Sequence, residues 1–595
     1  MCGIAGIYSK SHITKNDIDT VQKMNEIQKH RGPDDEGLWD NNYCVLGHRR
    51  LAIIDLSSDG HQPFFSDDGK LIMTYNGEIY NYIEIRDELS KLGWSFRTKT
   101  DTEVLLKSYE QWGKDCLQKF NGMFAFAIYD TITNKMFIAR DRVGVKPFYY
   151  TIIDDKFYFA SETKALKIIP SISLSINNQA VFDYFVFNRT DIWDETFHNE
   201  IKRLPKGHYG VVDENGLKIT RWWNPKDYIK NPIEINNISE VYNKVEELLV
   251  SSVKLRMRSD VTVGSCLSGG LDSSVLVGIV AQHFPDLIGS YKTFTASFPG
   301  FDKDETAFVE LLQKKYNFHN FRTYPTAETL SCDLEKFLYH QDDPVPTTSP
   351  YAQFKVMELA NNNNVTVLLD GQGGDENFAG YQYFHGYFLT SLLKSWNIIN
   401  LFKEAWKIYS RKQEKEAFYI FAYQQLPDRV KKNALYKKHN YLDKDFFYTY
   451  VENSIPYQFF FNKIGLNESL VAHFNYKLEH LLRWEDRNSM AFSIEARVPY
   501  LDYRLIEYVL SLPEHIKIKA GETKYLQKNS VGKYSIPEIV NRKDKIGFAT
   551  PERVWMEKKE ILALINVNNN YQYFKKHFKN FDKINWKLIS LFGLT

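Results

Sequence analysis

Val261-Thr262-Val263-Gly264-Ser265-Cys266-Leu267-Ser268-Gly269-Gly270-Leu271-Asp272-Ser273-Ser274 passes from an apolar β-branched run, through two glycines, into a helical pattern. Val261–Leu267 reads as a buried strand and Asp272–His283 as a helix. Working outward, Tyr291–Phe298 reads as a strand, Glu305–Tyr316 as a helix and Val365–Leu369 as a strand. Such alternation predicts a parallel sheet with crossover helices, whose ligands collect at the carboxyl ends of the strands. In the loop itself, Gly269 and Gly270 let the backbone approach phosphate oxygens, while Ser268, Ser273 and Ser274 add hydroxyls at a helix N-terminus. Asp272 is out of place among phosphates unless a divalent cation bridges them. The lysine of G-x-x-x-x-G-K-[ST] is missing, so this is not the common NTP-hydrolysing loop. A Gly-Gly pair can also be an ordinary turn, but the strand before it and the helix after it argue for phosphate binding.

A second glycine-rich loop, Asp370-Gly371-Gln372-Gly373-Gly374-Asp375-Glu376, follows the strand ending at Leu369. Beyond it, Phe384–Tyr476 is aromatic and helical in pattern, and helices with loops continue from Leu481 to the end. On the other side, the polar Trp223–Asn237 segment reads as a linker. Before that, short β-branched and aromatic runs (Cys44–Asp55, Lys70–Tyr75, Phe124–Tyr129, Lys135–Arg140) alternate with Gly, Asn and Asp turns. Tyr82–Leu92 and Thr102–Trp112 carry apolar residues at helical spacing, so helices packed on largely antiparallel sheets are expected. The reading divides the chain at 2–200, a linker 201–239, a second domain 240–560 and a helical tail 561–595.

The chain opens Met1-Cys2-Gly3-Ile4-Ala5-Gly6-Ile7. Removal of the initiator would leave Cys2 with a free α-amine beside its thiol, a nucleophile carrying its own base. Asn76-Gly77 offers a side-chain amide and a backbone N–H for an oxyanion, although Asn-Gly is equally the commonest hairpin turn. Arg50 can fork onto an α-carboxylate, and Glu78 and Asp101 can hold an α-ammonium.

With His30-Arg31-Gly32-Pro33-Asp34, Gly47-His48-Arg49-Arg50 and Thr100-Asp101-Thr102-Glu103, the first 165 or so residues resemble the class II glutamine amidotransferases. The resemblance implies an αββα N-terminal-nucleophile fold, Cys2 as nucleophile, Asn76 and Gly77 as oxyanion hole, and Arg50, Ile54, Glu78 and Asp101 as glutamine pocket. Residues from about 240 to 555 resemble ATP pyrophosphatases, and the whole chain resembles the glutamine-hydrolysing asparagine synthetases. That likeness rests on the two loops, on Ser493-Ile494-Glu495-Ala496-Arg497-Val498-Pro499 and on Lys543-Asp544-Lys545-Ile546-Gly547. It implies ATP as co-substrate, held by Leu267, the Ser268–Ser274 loop, Ala296, Asp370 and Gly371. It also implies magnesium on Asp272 and Asp375, a catalytic Lys545, a pyrophosphate contact from Lys524 and, by analogy, a homodimer. Gln372 stands where compact relatives carry a glutamate tied to acceptor activation, which leaves the acceptor open between aspartate and a surface-polysaccharide or peptidoglycan carboxylate. A catalytically silent scaffold is a third reading, opposed by the intact Cys2, Asp272, Asp375 and Lys545.

A formal net charge of +1 gives no overall footprint for nucleic acid or an acidic membrane, so small-molecule substrates are expected. Five scattered cysteines lack metal-ligand spacing, which favours a reduced compartment. No apolar run approaches a membrane span and no leader pattern is visible, so the expected location is the cytoplasm.

Overall fold

The computed structural model describes residues 2–230, 232–411, 414–542, 549–558, 561, 577–579 and 585–592. In the N-terminal half, the short alternating runs form β1 (Gly3–Ser9), β2 (Asp35–Asp40), β3 (Cys44–Arg50), β4 (Phe64–Phe65), β5 (Leu71–Ile79) and β6 (Gly122–Asp130). They continue as β7 (Lys135–Arg140), β8 (Tyr149–Ile153), β9 (Lys156–Ala160), β10 (Lys202–Arg203), β11 (His208–Asp213) and β12 (Gly216–Arg221). These make two six-stranded antiparallel sheets, ordered β10-β8-β9-β1-β3-β2 and β12-β11-β7-β6-β5-β4. Ile4, Tyr8 and Leu46 of one sheet share a core with Ile72, Ala125, Ala127 and Tyr129 of the other. The helix Lys15–Ile27 covers the first sheet, and Tyr82–Lys91 and Asp101–Trp112 cover the second, completing an αββα sandwich. Asn76 and Gly77 lie inside β5, paired with Ala125 and Phe124, so the hairpin-turn alternative is excluded.

The boundary of the linker at 201 needs correction. β10 pairs with β8, and β11 and β12 extend the second sheet from β7, so the sandwich runs to Arg221. Gly216, at φ 106°, closes the hairpin that the polar composition had hidden.

The C-terminal half is built on a five-stranded sheet in the order β15-β14-β13-β16-β17. Its strands are β13 (Val263–Cys266), β14 (Lys292–Ala296), β15 (His319–Thr323), β16 (Val367–Leu369) and β17 (Glu495–Arg497), all parallel. Strand order reverses at β13, so the loops after β13 and β16 splay apart and open a crevice at the switch point. β15 and β17 are not visible as strands in the sequence. The first is a polar edge strand, and the second carries Glu495 and Arg497, both buried and paired to each other at 2.5 Å.

The aromatic segment Phe384–Tyr476 forms a helical layer, with Phe384, Tyr387 and Phe388 packed on Leu470 and Phe474. Of the tail at 561–595, most lies outside the described residues. Within them the helix Asn585–Phe592 buries Trp586, Leu588 and Ile589. No described helix is long and apolar enough to cross a membrane.

Candidate active site

The first site forms where β1 begins against β5. Cys2 is 7% exposed, and its backbone N–H donates to Asn76 Oδ1 at 2.9 Å. Asn76 is fully buried, yet its Nδ2 has no partner among the described residues. A buried amide normally satisfies both ends; here one end is anchored beside the thiol and the other is left open as a donor. Gly77 admits no side chain, because a Cβ would stand 2.2 Å from the Met123 carbonyl oxygen. Burial pushes the Cys2 thiol up, against the Leu51 N–H and the Arg50 guanidinium.

The pocket residues gather around this pair. Arg50 is buried, and its guanidinium is gripped by the carbonyls of Ser57, at 2.6 Å, and Asp55. Ile54 is buried on the same loop. Asp101 accepts Tyr75 Oη and Ile79 N, each at 2.9 Å on Oδ2, and burial leaves its carboxyl pushed up to about 6. Glu78 is pushed well above the usual range by burial and by the neighbouring Glu495 and Asp101, and its Oε2 has no partner among the described residues. A pair of buried acids short of cations is a receptor for an ammonium group.

The second site is a cavity of about 350 Å³ at the switch point, walled by Leu267, Ser268, Gly270, Asp272, Ser273, Ala296, Asp370, Gly371, Gln372 and Asp375 among others. Gly269 holds φ 85° against the Glu305 carbonyl, and Ser273 Oγ accepts from Ser268 N at 3.2 Å. Ser274 is corrected: its hydroxyl bonds Ser535 Oγ at 2.6 Å and Leu271 O at 2.9 Å, and it does not line the cavity. One step along the helix from Ser273, it has turned into the interior. The two loops meet at Lys524, whose Nζ lies 2.5 Å from Asp272 Oδ2 and 2.7 Å from Asp375 Oδ1. Gly374 and Gly380 permit this closeness, since Cβ atoms there would fall 2.5 Å from Asp272 Oδ1 and 2.0 Å from Asp375 Oδ1. Lys545 lies outside the described residues.

The helix Leu478–Met490 links the two sites; the sequence reading expected helices from Leu481 onward but gave this one no part in a site. Glu479, Arg483, Asp486 and Arg487 recur at three- to four-residue spacing, on the face that meets the N-terminal sandwich. Arg31 forks onto Asp486 at 2.8 and 3.0 Å, bonds Glu162 at 2.9 Å and donates through Nε to the Cys2 carbonyl at 3.1 Å. Arg140 pairs with Glu479 at 2.6 Å, and Arg483 with Asp191 at 2.8 Å. The opposite face supplies Leu481 and Trp484 to the cavity wall and carries Glu485 behind it. Three consecutive charges, Glu485-Asp486-Arg487, inside a helix with Leu482 and Met490 buried were the available signal. Where the two halves meet, Ile53, Met123, Val143 and Val145 of the sandwich form one apolar cluster with Val367, Val498 and Leu501. Lys146, fully buried with no hydrogen-bond partner for Nζ among the described residues, is held below its usual range by burial and lies within the field of Asp486 and Glu495.

A buried amino-terminal cysteine beside an open amide donor, backed through one helix onto a crevice between two glycine-rich loops, places the molecule among the two-site amidotransferases. Residues 1–223 match the glutamine amidotransferase domain family and 244–576 the asparagine synthase family. Asparagine synthetase [glutamine-hydrolyzing] 1 of Bacillus subtilis is 32% identical over 94% of this chain and 88% of its own length. Putative asparagine synthetase [glutamine-hydrolyzing] 2 of Methanocaldococcus jannaschii is 38% identical over 66% of this chain and 78% of its own length. Amidase chyE of Penicillium rubens is 25% identical over 91% of this chain and 86% of its own length. The chain belongs to the glutamine-hydrolysing asparagine synthetase family, enzymes that use glutamine and ATP.

Proposed function

We propose that this chain forms asparagine from aspartate, with nitrogen taken from glutamine and activation by ATP. The observation that carries the reading is the helix Leu478–Met490, which touches the carbonyl of Cys2 through Arg31 and Asp486 and walls the nucleotide cavity with its other face.

With Met1 removed, the Cys2 amine takes the thiol proton, which matters because burial otherwise keeps the thiol protonated. The thiolate attacks the side-chain amide of glutamine. Asn76 Nδ2 and the Gly77 N–H receive the oxyanion, Arg50 the α-carboxylate, and Glu78 with Asp101 the α-ammonium. Ammonia leaves, and water hydrolyses the thioester to glutamate. Free ammonia would be protonated in bulk water, whereas the apolar layer of Met123, Val143, Val145 and Val498 keeps it neutral in transit.

At the second site the acceptor carboxylate attacks the α-phosphorus of ATP, giving an acyl-adenylate and pyrophosphate. Ser268, Ser273 and the backbone from Leu267 to Gly270 hold the phosphates; Ala296 and Gly371 flank the nucleoside. Two carboxylates that already converge on the cation of Lys524 fit a magnesium ion, which usually takes one or two carboxylates with phosphates completing its shell. Asp272 and Asp375 would hold it, and when bound it would neutralise the leaving pyrophosphate. We assign charge stabilisation during adenylation to Lys545. Ammonia then displaces AMP. The domain reading follows: sandwich to Arg221, linker to Asn237, synthetase domain from Ile238 onward.

Gln372 on the cavity wall favours a second reading, in which a uronic acid or peptidoglycan carboxylate takes the place of aspartate. A panel of carboxylates assayed for glutamine- and ATP-dependent pyrophosphate release decides it. Aspartate should stimulate release at least tenfold; release that ignores aspartate and answers to a uronic acid overturns the first reading in favour of the second.

A further inference from the structure

Resting on the amide-forming reaction proposed above, one step has no assigned residue. When ammonia bonds to the acyl carbon, nitrogen becomes positive and must shed a proton before AMP leaves with the electrons of its C–O bond. A base is needed at the cavity.

Most carboxylates there are committed. Asp272 and Asp375 pair with Lys524, Glu305 with Arg542 at 2.5 Å, and Glu522 with Lys528 at 2.9 Å. A carboxylate held by a cation is a poor base, because the cation favours its ionised form. Asp370 lines the cavity and is partly open to it, and Glu485 lies 3% exposed behind it. Neither has an ion-pair partner among the described residues. The two carboxyls interact, and the charge of Asp370 raises the Glu485 carboxyl. Gln353 donates Nε2 to Glu485 Oε2 at 2.7 Å and the Gln372 N–H donates to Asp370 Oδ1 at 3.2 Å, while Glu485 Oε1 has no hydrogen-bond partner among the described residues. Burial pushes both carboxyls above the usual range, and the charge of Asp370 pushes Glu485 further. A carboxylate raised in this way and free of a cation takes up a proton more readily than one held in an ion pair.

We infer that the Asp370–Glu485 carboxyl pair accepts the proton released by the attacking ammonia, with Asp370 facing the acyl group and Glu485 positioning and charging it. The N–C bond forms, the N–H proton passes to the pair, the C–O bond to AMP breaks, and the proton later leaves to water. The two residues come from different elements, the loop after β16 and the helix that also reaches the first site. A carboxylate absent at position 372 is thus supplied by Glu485, which contacts the Gln372 side chain.

The test uses the full chain with Glu485→Gln, and whichever carboxylate drives ATP–pyrophosphate exchange in the wild type. Glutaminase activity and exchange should stay within about threefold, while ammonium-driven amide formation falls by about 10²–10⁴-fold, the range of general-base catalysis. Adding Gln372→Glu to Glu485→Gln should recover at least tenfold, a rescue that a packing role would not give. Amide formation that falls no further than exchange, or no rescue, overturns the inference. A wild type in which no carboxylate drives exchange sinks the proposed function as well.

Discussion

Replacing Asn76 separates holding the nucleophile from stabilising its transition state, because the two ends of the side chain do different things. Oδ1 accepts the Cys2 N–H at 2.9 Å, and Nδ2 is open. Asn76→Asp keeps an acceptor for Cys2 N and removes only the open donor; Asn76→Ala removes both. Losing one preorganised oxyanion donor costs about 2.7–4 kcal/mol, or about 10²–10³ in kcat. Aspartate adds a negative charge where negative charge develops, so it should be the worse of the two despite its better shape. The assay is glutamate production from glutamine, with ammonium-driven pyrophosphate release as the control for folding of the second domain. The expected result is kcat for glutamine down at least 100-fold in both variants, KM within about threefold, and the control unchanged. If Asn76→Asp retains more than a third of wild-type kcat, the open Nδ2 is not an oxyanion donor and the reasoning fails.

Cys2→Ala should abolish glutaminase activity and leave ammonium-driven synthesis intact, measured by pyrophosphate release; loss of both would place Cys2 in structure rather than chemistry. Arg31→Ala and Asp486→Ala each strand a buried charge, for about 3–5 kcal/mol. Thermal unfolding of the double variant should be lowered by clearly less than the sum of the singles, and strict additivity would deny the pair. Asp183 is fully enclosed between Ser454 and Gln179, and burial pushes its carboxyl up to about 7. Since the folded value exceeds the unfolded one, its contribution is complete below about pH 4 and is lost as pH rises through about 7. Asp183→Asn should therefore flatten the decline of unfolding temperature between pH 5 and 8, and an unchanged slope would count against it.

Much of the architecture was legible because local chemistry and global fold agree. Lys135–Arg140 was read to the residue as β7, and the Ser268–Ser273 loop sits where strand-loop-helix periodicity placed it. What stayed hidden depends on tertiary pairing. β17 is a strand because Glu495 and Arg497 neutralise each other inside the molecule, a fact that hydropathy cannot carry. β11 and β12 were lost to linker because a Gly216 hairpin in polar sequence looks like a connection. Cys2 and Asn76, read together from chemistry, lie together, and Asp272 lies on the cavity wall of the loop it was read into, whereas Glu485 and Arg31 meet partners more than 100 residues away, such as Asp370 and Asp486. Ser274 was misplaced because a tight loop hands over to a helix there, and one residue of rotation turns a hydroxyl from ligand to core.

Transfer of labelled nitrogen tests the joint action of the two sites most directly. Aspartate, ATP and glutamine carrying ¹⁵N on its side-chain amide are supplied together with an excess of unlabelled ammonium, and the amide of the product is analysed by mass spectrometry. Direct transfer between the two sites predicts asparagine enriched in ¹⁵N far above the bulk pool. Asparagine carrying the isotopic composition of the solution, or glutamine consumed with no amide formed, would contradict it.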